Sequence, residues 1–365
     1  MFKNLFLPVL GIVALGFSSC TKEETGGCPD GSATDSLRIQ LSTDTVEKNG
    51  FDYVNIKVTD KNGLDVTAKC NIYANNSLIS KNYVPVGLGT QTITASTDCQ
   101  VSESKNLVVT AVSASPFTQK ALVEDLTGAW CGFCTRVSHS LDSFKATKSQ
   151  NLIVVTVHGG GGTDPFKYQY YTQINSKYKL SGYPSVLLNR KVEWNESHST
   201  LTNALNSWAP LGISINSLKN NDGTVSGTVK VKYNVNTERP MKLVIAMVEN
   251  GLIAPQENYY STKYGYKPYL YGAVSPINNF VHNGVLRKTS TDLFGDVIPV
   301  ETQKKGNIYS KDFTLILSGK TYDQTPYTAN IDNVGIVAFV IDDSGNNYGI
   351  YNVQYANAGT DKDFD

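Results

Sequence analysis

The stretch Trp130-Cys131-Gly132-Phe133-Cys134 constrains this chain more than any other. It follows an apolar run, Ala121-Leu122-Val123-Glu124-Asp125-Leu126, and leads into Phe133, Val137, Leu141 and Phe144. Those four recur at three- and four-residue steps, so they share one helical face. A strand, a sharp turn and a Cys-x-x-Cys that opens a helix set the first sulfur beside orphan N–H groups and the positive end of a helix dipole. That setting lowers a thiol pKa below the usual ~8.5 and favours thiolate. A second cysteine three residues on lies one turn away, able to attack a mixed disulfide and release it. Cys131 is thus read as the attacking thiol and Cys134 as the resolving one, with Arg136 a nearby charge that supports the thiolate.

The pattern resembles the thioredoxin signature. The resemblance makes Asp125, six residues before Cys131, the buried acid that assists proton transfer to the resolving cysteine. It also matches Leu180-Ser181-Gly182-Tyr183-Pro184-Ser185-Val186-Leu187-Leu188 to the segment carrying a cis-proline opposite the dithiol. Tyr183-Pro184 would be that bond, leaving Tyr183 backbone groups for a substrate strand. Downstream, the buried-type strand Leu152 to Val157 ends in His158-Gly159-Gly160-Gly161-Gly162. Parallel strands gather sites at their carboxyl ends, so His158 falls on the dithiol's edge. It is either a proton carrier or a loop histidine without chemistry. The glycine run lacks the Gly-Lys-Ser/Thr ending of a phosphate loop. His139 reads as a helix-surface residue. Cys28, Cys70 and Cys99 are too scattered to complete a zinc site, so no metal or cofactor is expected. The uncharged Gly132-Phe133 pair lacks the histidine of strong oxidants and implies a moderately reducing couple. A closed, inert disulfide on the same scaffold is the rival reading.

Residues 1–19 read as a signal peptide, with Lys3 as the positive region and an apolar stretch from Leu5 to Phe17 too short to span a bilayer. Phe17-Ser18-Ser19-Cys20 resembles a bacterial lipoprotein cleavage site with Cys20 as the lipidated residue. Thr21-Lys22-Glu23-Glu24 resembles the signal that sends Bacteroidota lipoproteins to the outer face of the outer membrane. Residues 20–36 form a flexible tether. Residues 37–113 alternate like short antiparallel strands divided by turns such as Asp60-Lys61-Asn62-Gly63, the pattern of an immunoglobulin-like β-sandwich. Cys70 and Cys99 are its expected disulfide staple, with Cys28 left over. Ser115-Pro116 opens a thioredoxin-like α/β domain of residues 116–209, with helices expected at Phe166 to Leu180 and Ser199 to Trp208. Residues 210–365 return to β patterning and read as a C-terminal antiparallel β-sandwich. A dense insert of Tyr259, Tyr260, Tyr264, Tyr266, Tyr269 and Tyr271 reads as loop packing over that sandwich, or as a surface for sugars or peptide. The expected fold class is therefore multidomain and mostly β, with one α/β domain. The 32 basic and 32 acidic residues balance and form no basic tract, which argues against nucleic acid.

The leader, the spacer, Leu126-Thr127-Gly128-Ala129-Trp130-Cys131-Gly132-Phe133-Cys134 and Val281-His282-Asn283-Gly284-Val285-Leu286-Arg287 together resemble a Bacteroidota family. That family is named for an outer-membrane protein of twenty-eight kilodaltons. The resemblance implies a lipid-anchored outer-membrane protein, facing the cell surface or the periplasm. Two functions stay open. One is thiol–disulfide exchange with a protein substrate through the dithiol. The other is an adhesin or ligand-binding role in which the disulfide is only structural.

Overall fold

A computed structural model describes residues 34–147, 150–180, 182–345 and 349–365. The leader, Cys20 and Cys28 lie outside the described residues. The chain is mostly β and divides into two compact units.

The first unit gathers Val54–Tyr83 and Thr90–Leu107 with the strand Thr34–Leu41. Thr34–Leu41 runs antiparallel to Val54–Thr59 and parallel to Gln100–Ser102. Asn71–Ala74 forms a hairpin with Ser77–Ile79 and pairs antiparallel with Gly89–Ser96. Alternation builds the core: Val54, Ile56 and Val58 are buried while Asn55 and Lys57 are exposed, as a one-sided strand requires. The expected staple is not formed. Cys70 ends the short turn Thr67–Lys69 and remains a thiol, its sulfur directed back onto the Val66 carbonyl at 3.4 Å, away from any bond to Cys99.

In the second unit Ala121–Thr127 and Leu152–His158 lie parallel, paired from Ala121↔Leu152 to Thr127↔His158. Ser185–Leu188 flanks the first of these antiparallel, and Val192–Glu193 follows it. The helix Cys134–Thr147 buries Val137, Leu141 and Phe144 against this sheet, as its spacing predicts, and Leu201 of the helix His198–Leu205 joins the same core. A shorter helix than expected spans Tyr171–Tyr178 and ends with Lys179 in the left-handed region.

The sheet does not stop at residue 209. Val285–Thr289 continues it beyond Leu152–His158 through the parallel pair Thr156↔Val285, and Met241–Glu249, Val334–Asp342 and Ile350–Asn357 extend it antiparallel. Gly284 makes the junction possible. It has φ +66°, and a side chain there would begin 2.4 Å from the Val154 carbonyl oxygen. The extended end packs against a second sheet of Leu211–Lys219, Thr224–Tyr233 and Ile308–Ile316. Residues 210–365 thus do form a two-layer β structure, but one layer is the outer part of the sheet that begins at Ala121. The physical reason is burial: Leu122, Val155 and Val157 share one hydrophobic core with Val244, Ala246 and Leu286.

Candidate functional site

Cys131 and Cys134 are joined by a disulfide. The helix proper begins at Cys134, so Cys131 stands in the turn ahead of it, where the Cys134 N–H donates to the Cys131 carbonyl. Both cysteines are buried, at 3% and 1% exposure. The burial of Cys131 is a departure from the sequence reading, because an attacking thiol needs access.

The cover comes from a part of the chain the sequence did not connect with the dithiol. The Gln256 side-chain nitrogen donates to the carbonyls of Gly128 and Cys131, at 3.2 and 3.0 Å. The Glu257 N–H donates to the Ala129 carbonyl and the Tyr259 N–H to the Gly132 carbonyl. Tyr259 lies so close that a side chain at Gly132 would begin 2.3 Å from its ring. Phe133 sits edge-on to Tyr259, Tyr260 and Tyr266. The tyrosine insert therefore packs on the dithiol loop, not over the distal sandwich. Asn258, wholly buried, pins it: its side chain accepts from Thr135 Oγ1 and the Tyr260 N–H and donates to the carbonyls of Tyr260, Leu270 and Val274. Arg136, expected to serve the thiolate, is committed elsewhere. It holds Glu196 through paired contacts of 2.6–2.9 Å and donates to the Tyr260 hydroxyl.

Around this loop the other expected residues gather. The Tyr183–Pro184 bond is cis, and Tyr183 packs its ring against Trp130 at 5.6 Å while its hydroxyl accepts from Asn175. The Trp130 indole donates to the Gly159 carbonyl. The glycine run is explained by this ring: side chains at Gly160 and Gly162 would begin 2.3 and 2.2 Å from Trp130. His158 is buried, with Nδ1 2.8 Å from Asp164 Oδ2, and Asp164 accepts the Ala129 N–H two residues ahead of Cys131. Burial would raise the Asp164 pKa, but bonds from His158, Ala129 and Phe166 hold it below the ordinary carboxylate value. His158 thus bears on the dithiol loop by way of Asp164. His139 is exposed on the helix and meets Tyr271 edge-on.

Asp125 is 1% exposed, and its Oδ1 has no hydrogen-bond partner among the described residues. Burial, then the charges of Glu196 and Asp142, push its pKa up to about 7. It lines a cavity of about 270 Å³ together with His158, Gln256 and His282. The buried His282 lies 5.1 Å from His158, ring to ring, and burial first, then His158, lowers its pKa to about 4. Asp164, Gln256 and Asn258 were missed by sequence reasoning, and Tyr259 was singled out without its place at the dithiol. Asp164 had a signal in its place just before Pro165, a turn position. Gln256 and its neighbours had none, being more than a hundred residues from the loop they hold.

Fold and site together define a mostly β protein with a Cys-x-x-Cys disulfide at the end of a parallel strand pair. The sequence model of the family described as outer membrane protein Omp28 matches residues 171–362, more than half of the chain, and the chain belongs to that family. It is thereby an outer-membrane protein. The match begins beyond the dithiol. Among solved structures, HBP35 of Porphyromonas gingivalis superposes with a TM-score of 0.51 at 15% identity, over 67% of this chain and 77% of that one. A domain of the outer membrane lipoprotein Omp28 from Porphyromonas gingivalis gives a TM-score of 0.25 at 16% identity, over 41% and 88%. No curated protein matches the chain.

Proposed function

We propose that this outer-membrane protein is a lipoprotein performing thiol–disulfide exchange at Cys131–Cys134 in a thioredoxin-like region of residues 116–209, held on the membrane behind an immunoglobulin-like spacer of residues 37–113. The observation that carries the reading is Asp125, a buried carboxyl on the strand leading to the dithiol whose Oδ1 has no hydrogen-bond partner among the described residues. Such a group costs stability, and perturbed acids of this kind cluster at working sites. In the oxidised form a substrate thiolate attacks Cys131 Sγ, the Cys131–Cys134 bond breaks, and Cys134 leaves as a thiolate that takes a proton from Asp125. A second substrate thiolate then attacks the substrate sulfur of the mixed disulfide. That attack expels Cys131 as a thiolate, so the substrate leaves as a disulfide and the protein, having gained two electrons, holds a thiol at Cys134 and a thiolate at Cys131. The reverse sequence reduces a substrate disulfide. Pro184 and the Tyr183 backbone border the substrate strand, and Tyr259 and its neighbours must move aside to admit it.

The test is made on the full chain. Cys131→Ser should abolish disulfide reduction of insulin, and Cys134→Ser should accumulate mixed disulfides. A reduction potential between about −120 and −270 mV by glutathione titration and thiol trapping agrees with a working couple. A potential below about −300 mV, with both variants silent, marks a structural bond. That outcome favours the second reading, an adhesin or ligand-binding lipoprotein with an inert disulfide, which is supported by the 3% exposure of Cys131.

A further inference from the structure

Behind the dithiol loop, the 270 Å³ cavity runs along the strand Leu152–His158 between the helix Cys134–Thr147 and the strand Ile277–His282. It has room for about nine waters, or for an organic molecule of about as many heavy atoms. Two of its lining side chains are more than nine-tenths buried and end in polar atoms without partners among the described residues: Asp125 Oδ1 and His282 Nε2. His282 gives a ring N–H to the Ala254 carbonyl, and because Nε2 has no partner, that N–H is Nδ1. A neutral imidazole donating from Nδ1 presents a bare lone pair at Nε2. Asp125 presents carboxyl oxygen. Both are groups that accept hydrogen bonds, so what completes them is a donor.

The electrostatics sharpen that requirement. The acids Glu196 and Asp142 both act on Asp125, and no cation offsets them among the described residues. Lys145 lines the same cavity, and its charge acts on Asp142 of the same helix. A cation placed at Asp125 would offset the burial and the two acids that push its pKa up to about 7. Leu141, Leu152, Val154 and Phe280 supply an apolar stretch of the wall, beside polar neighbours such as Ser138, Thr156, Asn250 and Asn283. A polar end of two acceptors and a hydrocarbon flank fit an amphipathic guest.

We propose that this cavity is a binding site for a small primary amine with a hydrocarbon body, its ammonium group donating to Asp125 Oδ1 and His282 Nε2. The proposal does not rest on exchange chemistry, because the guest touches neither sulfur and the site is complete with the disulfide closed. It differs from a solvent channel by requiring both the charge and the apolar flank.

The test is calorimetric titration of the full oxidised chain with phenethylamine, and with phenethyl alcohol as the uncharged isostere. The amine should bind at least tenfold more tightly than the alcohol. Asp125→Asn keeps the shape and removes the charge, and should weaken the amine at least tenfold. His282→Phe removes the acceptor and should weaken it severalfold. Val154→Phe fills the apolar wall and should abolish binding of both compounds. Titrations in two buffers of different ionisation enthalpy supply a further readout. Close to one proton should be released per amine at pH 6, where Asp125 starts protonated, and close to none at pH 8.5. Equal binding of amine and alcohol, no binding of either, or amine binding indifferent to Asp125→Asn and Val154→Phe would each overturn the proposal. An exchange assay that fails while these titrations succeed would sink only the redox reading.

Discussion

The two sides of the Cys131–Cys134 loop are built on opposite terms. On the front, the carbonyls of Gly128, Ala129, Cys131 and Gly132 all accept hydrogen bonds from Gln256, Glu257 or Tyr259. On the back, Asp125 and His282 each bring to a cavity a polar atom without a partner among the described residues. Buried polar groups are satisfied almost everywhere in folded proteins. The contrast therefore separates a surface fixed by folding from a space kept for something that is not part of the chain. A front so fully bonded also means that access to Cys131 is a conformational matter, set by the tyrosine segment and not by the sulfur's own chemistry.

The largest effect expected concerns the back, and it is a pH effect. Asp125 has a folded pKa near 7, above its ordinary 3.8, so its contribution to stability is fully present below about pH 4 and is lost as pH rises through 7. The loss amounts to about 4 kcal/mol. His282, lowered from 6.5 to about 4, contributes fully above 6.5 and loses its share as pH falls towards 4, about 3 kcal/mol. Between pH 4 and 6.5 the two slopes oppose each other. Urea denaturation across that range should give a shallow profile for the native chain. Stability should climb with pH in Asp125→Asn and decline with pH in His282→Gln. Parallel profiles for all three proteins would remove the distinction drawn for the back.

The front is broken most directly at Asn258. Asn258→Ala removes the partner of the Tyr260 N–H and of the Val274 carbonyl and should cost about 3 kcal/mol, with reduction of the disulfide by dithiothreitol accelerated at least tenfold. An unchanged reduction rate would mean that the tyrosine segment does not control access. Gly132→Ala forces the Tyr259 ring away and should cost about 1–2 kcal/mol with a smaller acceleration, read in the same assay. The mildest change is Arg136→Lys. Its partner Glu196 is partly exposed, so replacing a bidentate contact by a single ammonium should cost under about 1 kcal/mol and leave the pH profiles unaltered.

What was legible in the sequence had a local period or a short motif. Val137, Leu141 and Phe144 announce a helix because their spacing is its own evidence, and the run from Leu152 announces a buried strand in the same way. The Cys131–Cys134 pairing needs only a spacing of three. The covering segment carries no such mark. Gln256 through Tyr260 have neither strand alternation nor helical period, and their partners lie in another part of the chain, so abundance of tyrosine was visible while its destination was not. Arg136 misled for a related reason. Its position near Cys131 is local information, whereas its bond to Glu196 is set by how the loop before His198–Leu205 comes back to the helix. The end of the α/β region was similarly hidden, since one residue pair, Thr156↔Val285, turns two patterned stretches into one sheet.

That single pair has a consequence for how such chains can be divided or recombined. Cutting after residue 209 would strip Leu152–His158 of its outer neighbour and leave the N–H of Thr156, now given to Gly284, facing water on a bare parallel edge. Open edges of that kind invite copies to stack on one another. The dithiol half and the β half are therefore not interchangeable cassettes: an exchange between relatives has to carry both strands of the seam, with a glycine at 284, or inherit an aggregation-prone border.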